Sequence, residues 1–129
     1  MAIYAYRDMR DVDWRPFLKA AVERNPVGVT MCEGLSDEAV YARLQAMPSV
    51  SIYEEAFRLA QPDEVWNYGR GDGSEKAVAL LALLKHRHPG AVYRLKVGET
   101  AAVEDMAASS AGPYRFPAQK KVGERTFEV

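Results

Sequence analysis

Few side chains in this sequence could make or break bonds. The single cysteine, Cys32, and the only two histidines, His86 and His88, form the one thiol–imidazole set available. A thiol attacks as its thiolate, so Cys32 would need a histidine or another cation beside it. Its neighbours Thr30, Met31 and Glu33 offer no such help, and the Glu33 carboxylate is expected to raise the thiol pKa. Cys32 is therefore read first as a small residue tucked beside the core. His86 and His88 are two residues apart and do not share a helix face, so a cationic helix end explains them better than a metal. No other spacing of Cys, His, Asp and Glu describes a closed metal site. Asp63, Glu64 and Asp72 could be imagined as acid–base carboxylates, yet caps and first-turn acids explain them without a substrate.

The better candidate is the run from Gly69 to Lys76, with glycine at 69, 71 and 73. Successive backbone N–H groups at a helix N-terminus can hold an anion, and nearby cations assist. The ligand-binding candidates on this reading are Arg70, Gly71, Gly73, Ser74 and Lys76. Asp72 and Glu75 oppose it, because as caps they would take the same N–H groups and repel a second anion. The spacing is not that of a nucleoside triphosphate loop. Arg70-Gly71-Asp72 also spells an integrin-type tripeptide, which carries no weight at the mouth of a structural helix.

The element that must position these residues is the helix that follows. Asp72 and Glu75 have the spacing of a capping box, with Ser74 a rival N-cap. Ala77, Leu80, Leu81 and Leu84 recur at i, i+3, i+4 and i+7, and Val78, Ala82 and Leu83 widen the apolar surface. A helix so apolar is expected to be covered on more than one side. Lys85, His86, Arg87 and His88 suit its C-terminal dipole, and Pro89-Gly90 stops it. Before it, Asp13 is expected to cap a helix bearing Trp14, Phe17, Leu18, Ala21 and Val22, with Pro16 in its first turn. Val27 to Cys32 reads as a strand or extended connector. Ser36 caps a helix presenting Val40, Tyr41, Leu44 and Met47. Ser51 and Glu54 have capping-box spacing for a helix with Tyr53, Ala56, Phe57 and Ala60 on one face, and Pro62 begins a further turn through Trp66. Met1 to Asp11 is ambiguous between a short strand and an arm. The aromatic residues Trp14, Tyr53, Phe57, Trp66 and Tyr68 read as core and its polar rim.

After the central helix the period changes. Ala91 to Val97 favours a strand, Gly98-Glu99 a turn, and Thr100 to Met106 and Gly112 to Phe116 two more strands around a loop at Ala107 to Ala111. Thr126 to Val129 adds a last one. Helices first and strands last argue for an α+β fold, with N-terminal helices and a central buried helix packed on a C-terminal antiparallel sheet.

The segment GDGSEKAVALLALL resembles the start of the core helix in transglutaminase-like cysteine peptidases, commonly written G-D-C-E-D-K-A. Gly71 and Asp72 match the leading pair, and Glu75, Lys76 and Ala77 match the acid, Lys and Ala that follow. Gly73 then stands at the position of the family's nucleophilic cysteine. The resemblance covers the motif, its helix and the strands after it, about half the chain. It implies a central helix against an antiparallel meander. It also implies that the family's chemistry is lost, because no histidine follows His88 to serve as base.

Composition bounds the rest. The 129 residues suit one domain, 1–129, and 48% hydrophobic with 27% charged residues is ordinary for a globular chain. A net charge of -1 and a pI of about 6.1 give no electrostatic case for nucleic-acid binding. One cysteine cannot form an intrachain disulfide, which fits a reducing compartment. With no signal segment or membrane-length apolar run, a cytoplasmic protein is expected, with no membrane partner. The expected function is a non-catalytic, degenerate transglutaminase-like domain that binds another protein or a small ligand, with no catalytic residue, metal or cofactor. The alternative is an enzyme with an unrecognised site, thiol-based on Cys32.

Overall fold

The computed structural model describes residues 9, 13–55, 58–106, 113–120 and 122–129. In chain order these form α1 (Arg15–Glu23), α2 (Val27–Met31), α3 (Asp37–Ala46), α4 (Pro62–Tyr68) and α5 (Gly73–Arg87), then β1 (Tyr93–Val97), β2 (Thr100–Asp105), β3 (Tyr114–Pro117) and β4 (Arg125–Glu128). The strands make one antiparallel sheet in the order β3-β2-β1-β4. The α+β expectation is borne out. Among the described residues no helix is long and apolar enough to cross a membrane.

Helix α5 forms where its caps and apolar run place it. The Asp72 and Glu75 side chains make the reciprocal capping box, and every residue from Gly73 to Leu84 is buried. It packs on β1, β2 and β3 on one side and on α1, α2, α3 and α4 elsewhere, which is why its apolar surface exceeds a single stripe. Leu80, Leu81 and Leu84 are at most 1% exposed. Leu81→Ala should therefore cost about 2–5 kcal/mol through lost transfer energy and an unfilled cavity. Urea unfolding measures it; a loss below about 1 kcal/mol would mean that the site is far looser than its burial indicates.

The sheet presents Tyr93, Leu95 and Val97 of β1 to this helix, with Val103, Tyr114 and Phe116 beside them in the same core. The Leu95↔Phe127 pairing puts Phe127 on that face, where it stacks on Trp14 at 5.5 Å between ring centroids. Trp14 in turn donates its Nε1–H to the Met9 carbonyl at 2.7 Å.

Three sequence expectations are corrected. Val27 to Met31 is helical, not extended, because tertiary partners decide it: Asp63 accepts the Val27 N–H at 2.9 Å, and Gly28 packs closely against the Trp66 indole. A Cβ at Gly28 would stand 2.3 Å from Trp66 Nε1, so only glycine permits this approach. The segment 51–55 is irregular rather than a helix start, since the Ser51 hydroxyl is spent on Glu75 and on the Tyr53 N–H. Asp13 lies one residue before the N-cap of α1, which is Trp14, and accepts the Arg15 N–H at 3.0 Å. The Ser36 cap on α3 forms as expected, with Ala39 N–H at 3.1 Å. The expectations for Met1 to Asp11 apart from Met9, for Ala56 and Phe57, and for the loop Ala107 to Ala111 lie outside the described residues.

Candidate functional site

The start of α5 is the most polar part of the interior. Asp72, Ser74, Glu75 and Lys76 are all at most 3% exposed. Asp72 uses Oδ2 to accept the Ser74 N–H at 3.0 Å and Oδ1 to accept the Gln119 and Lys120 N–H groups at 2.7 and 3.2 Å. It thus caps the helix and ties down the chain leaving β3. Glu75 accepts the Asp72 N–H at 2.7 Å through Oε1, and the Ala60 N–H and Ser51 hydroxyl at 2.6 and 2.8 Å through Oε2. Burial pushes the Glu75 carboxyl up, with those donors and the Lys120 charge acting in the opposite sense. The Lys76 ammonium donates to the Met47 carbonyl at 2.7 Å and to the Ser49 hydroxyl at 3.2 Å, pinning the end of α3 to α5. Burial pulls Lys76 down, opposed by Asp72. Lys120 donates to the Tyr53 carbonyl at 2.8 Å and to the Glu55 carbonyl, and burial pulls it down too.

These placements bear on each ligand-binding candidate. Gly71, Gly73, Ser74 and Lys76 face inward, and only Arg70 is exposed. The helix N-terminal N–H groups that would meet an anion are taken by Asp72 and Glu75. The five residues are therefore not gathered around an open space. Gly71 donates its N–H to the Pro48 carbonyl at 3.2 Å. At Gly73, a Cβ would stand 2.1 Å from the Pro117 carbonyl oxygen and 2.9 Å from that of Phe116. Strand β3 thus lies directly against the backbone of residue 73, and no cleft opens there.

The thiol set is equally dispersed. Cys32 is fully buried and its thiol is pushed up by burial, with Arg43 and Arg87 opposing. Burial, rather than the Glu33 charge invoked from sequence, is the cause. His86 is exposed, and His88 lies 3.2 Å from Asp37. Arg87 occupies the space beside residue 32 by donating to its carbonyl at 2.9 Å. Among the described residues no histidine bonds to the thiol, and no group of His, Cys, Asp and Glu could hold a metal. The carboxylates Asp63 and Glu64 do not converge with Asp72. Asp63 caps α2, while Glu64 accepts the Gln61 N–H and the Tyr53 hydroxyl. That carboxylate and burial push the Tyr53 phenol up to about 12, burial being the larger cause.

Two of the surface hollows formed by the described residues bear on the candidates. A hollow of about 360 Å³ beside the α5 start is lined by Ser49, Ser51, Tyr53, Asp72, Gln119 and Lys120 among others. Two of its charged groups, Asp72 and Lys120, are committed to backbone partners, while Glu54 is exposed at its rim. A larger groove, about 780 Å³, runs between α1 and β4, with Leu18, Val22, Phe127 and Val129 as its apolar lining and Lys19 and Glu128 among its charged residues. Sequence reasoning missed both. Residues far apart in the chain line each of them, and nothing in the local pattern of Thr126 to Val129 marks a strand edge. Comparison with known proteins finds no matching family model, no similar curated protein and no similar solved structure. The chemistry must be judged on the chain's own geometry.

Proposed function

We propose that this chain is a protein-binding domain built on a degenerate transglutaminase-like core, without a nucleophile at the family's position. The observation that carries the reading is the Pro117 carbonyl, 2.1 Å from where a side chain at residue 73 would begin. The space a nucleophile and its acyl substrate would share is filled by backbone. A protein partner is favoured over a small ligand because Asp72, Lys120 and Ser51, at the floor of the polar hollow, are spent on internal bonds. The larger groove, by contrast, offers apolar side chains beside a strand edge.

The test addresses the thiol alternative directly. Iodoacetamide labelling of the folded protein near neutral pH should be slow, because Cys32 is buried and its thiol is held protonated. A screen of amide and ester substrates should show no turnover. Rapid stoichiometric labelling, together with hydrolysis that Cys32→Ser abolishes, would make the protein an enzyme and end this reading.

A further inference from the structure

The connection from α3 to α4 is held unevenly. At one end the Met47 N–H bonds the Leu44 carbonyl, and the Met47 carbonyl receives the Lys76 ammonium at 2.7 Å. At the other, Lys120 donates to the Tyr53 carbonyl at 2.8 Å, the Tyr53 hydroxyl donates to Glu64, and the Arg58 guanidinium lies 3.7 Å from the Tyr53 ring centroid. Residues 48–52, between these fixed ends, rest on less. Gly71 donates its N–H to the Pro48 carbonyl at 3.2 Å, Lys76 donates to the Ser49 hydroxyl at 3.2 Å, and the Ser51 hydroxyl donates to Glu75 at 2.8 Å.

Little else keeps 48–52 down. None of these residues is buried; Ile52 packs only in part against the core, and Val50 is 56% exposed. No described residue accepts from the N–H groups of Ser49, Val50, Ser51 and Ile52. Few buried apolar contacts and few backbone bonds mark a segment that opens at a free energy below that of global unfolding. The groups beneath also favour opening. Glu75 and Lys76 are at most 2% exposed, and burial disfavours the charged form of each. Raising 48–52 returns both towards water and orphans neither. Lys76 keeps the Met47 carbonyl, and Glu75 keeps the Asp72 and Ala60 N–H groups.

From this arrangement we infer that residues 48–52 are a lid, hinged at Met47 and Tyr53, that lifts while α5 and the sheet stay folded. Ser49, Val50 and Ser51 line the hollow of about 360 Å³, together with Asp72, Gln119 and Lys120. Lifting that wall extends the hollow to Glu75 and Lys76. Lys76 then has a proton free where Ser49 stood, and Glu75 a lone pair free where Ser51 stood. Closed, the two serines of the lid fill those positions themselves. The lid is thus an internal plug, and the hollow offers this donor and acceptor only when it is raised. Loops held over a rigid scaffold are where binding groups concentrate. The lid does not depend on the protein-binding reading, which rests on residue 73 and on the groove between α1 and β4.

Two groups report on the lid: the Gly71 amide, which bonds Pro48, and the Lys76 amine beneath Ser49. Hydrogen exchange follows the first, and acetic anhydride labelling read by mass spectrometry follows the second, both in the whole protein. Each should open with a shallow urea dependence and at a lower free energy than the Leu81 and Leu84 amides, which report global unfolding. Ser51→Ala removes the tie to Glu75 and should speed both reporters roughly tenfold. Leu81→Ala weakens packing that the raised lid leaves intact. It should speed the core amides by roughly thirtyfold or more and leave both reporters unchanged. If Leu81→Ala does not fold, the urea series decides alone. Reporters that follow the Leu81 and Leu84 amides in urea, or accelerate with them in Leu81→Ala, would show that 48–52 lifts only on global unfolding and overturn the inference. So would labelling of Lys76 while Gly71 stays protected, or a Ser51→Ala protein in which neither reporter changes.

Discussion

Glu75→Ala should destabilise the protein by about 3–5 kcal/mol, more than its size as one surface-type residue would indicate. The carboxylate is 1% exposed and receives three donors, the Asp72 and Ala60 N–H groups and the Ser51 hydroxyl. Alanine leaves the Asp72 and Ala60 N–H groups buried without a partner, each at a cost of about 1–3 kcal/mol, and frees the half-buried Ser51 hydroxyl. The loss is offset in part because burial already disfavours the charged carboxylate. That offset has a sign in pH. A carboxyl whose folded value is raised contributes most below its ordinary value of 4.5, and the contribution falls as pH rises through the folded value. Urea unfolding of both proteins at several pH values measures the loss and whether that dependence disappears with the side chain. Glu75→Gln, which keeps one acceptor oxygen, should lose less. A difference under about 1 kcal/mol for Glu75→Ala would show that water replaces the carboxylate and that the cluster is not a structural tie.

Gly73→Cys, which restores the thiol of the motif that the chain resembles, should give neither a reactive cysteine nor a stable protein. The new Cβ would fall 2.1 Å from the Pro117 oxygen and 2.6 Å from its carbonyl carbon. Both are backbone atoms of a paired strand, so relief requires β3 to move away from α5. The cost should be about 3 kcal/mol, at the upper end of overpacking. Gly73→Ala should cost nearly as much, since the clash begins at Cβ. Thermal unfolding of the two variants measures this. A Gly73→Cys protein of native stability whose new thiol labels rapidly would show that β3 yields and that a cleft can open at this position.

How legible this was depends on how local the cause is. The Asp72–Glu75 capping box, the apolar run from Ala77 to Leu84 and the Ser36 cap were readable because each is completed by residues three or four apart on the same helix. The strands from Tyr93 onward were readable from composition and turn residues. Val27 to Met31 was not: its β-branched residues favour extension, and a carboxylate 36 residues away with a flat indole overrides them. Ser51 was misread for the same reason, because a distant Glu75 competes for the hydroxyl that local spacing assigns to a helix cap.

By itself the sequence determined the α+β order, the buried central helix with its caps, and the absence of any residue at 73 able to act as a nucleophile. These follow from residue type and from periods of two and 3.6, which need no knowledge of the rest of the chain. Only the tertiary structure decided that Gly71, Gly73, Ser74 and Lys76 turn inward, that Pro117 occupies the space beside residue 73, and that Tyr41 covers the β3 edge of the sheet. Each of these depends on which distant backbone arrives at a given hydrogen-bonding group. Outside proline the peptide group is the same in every residue, so its pairing leaves little mark on local sequence.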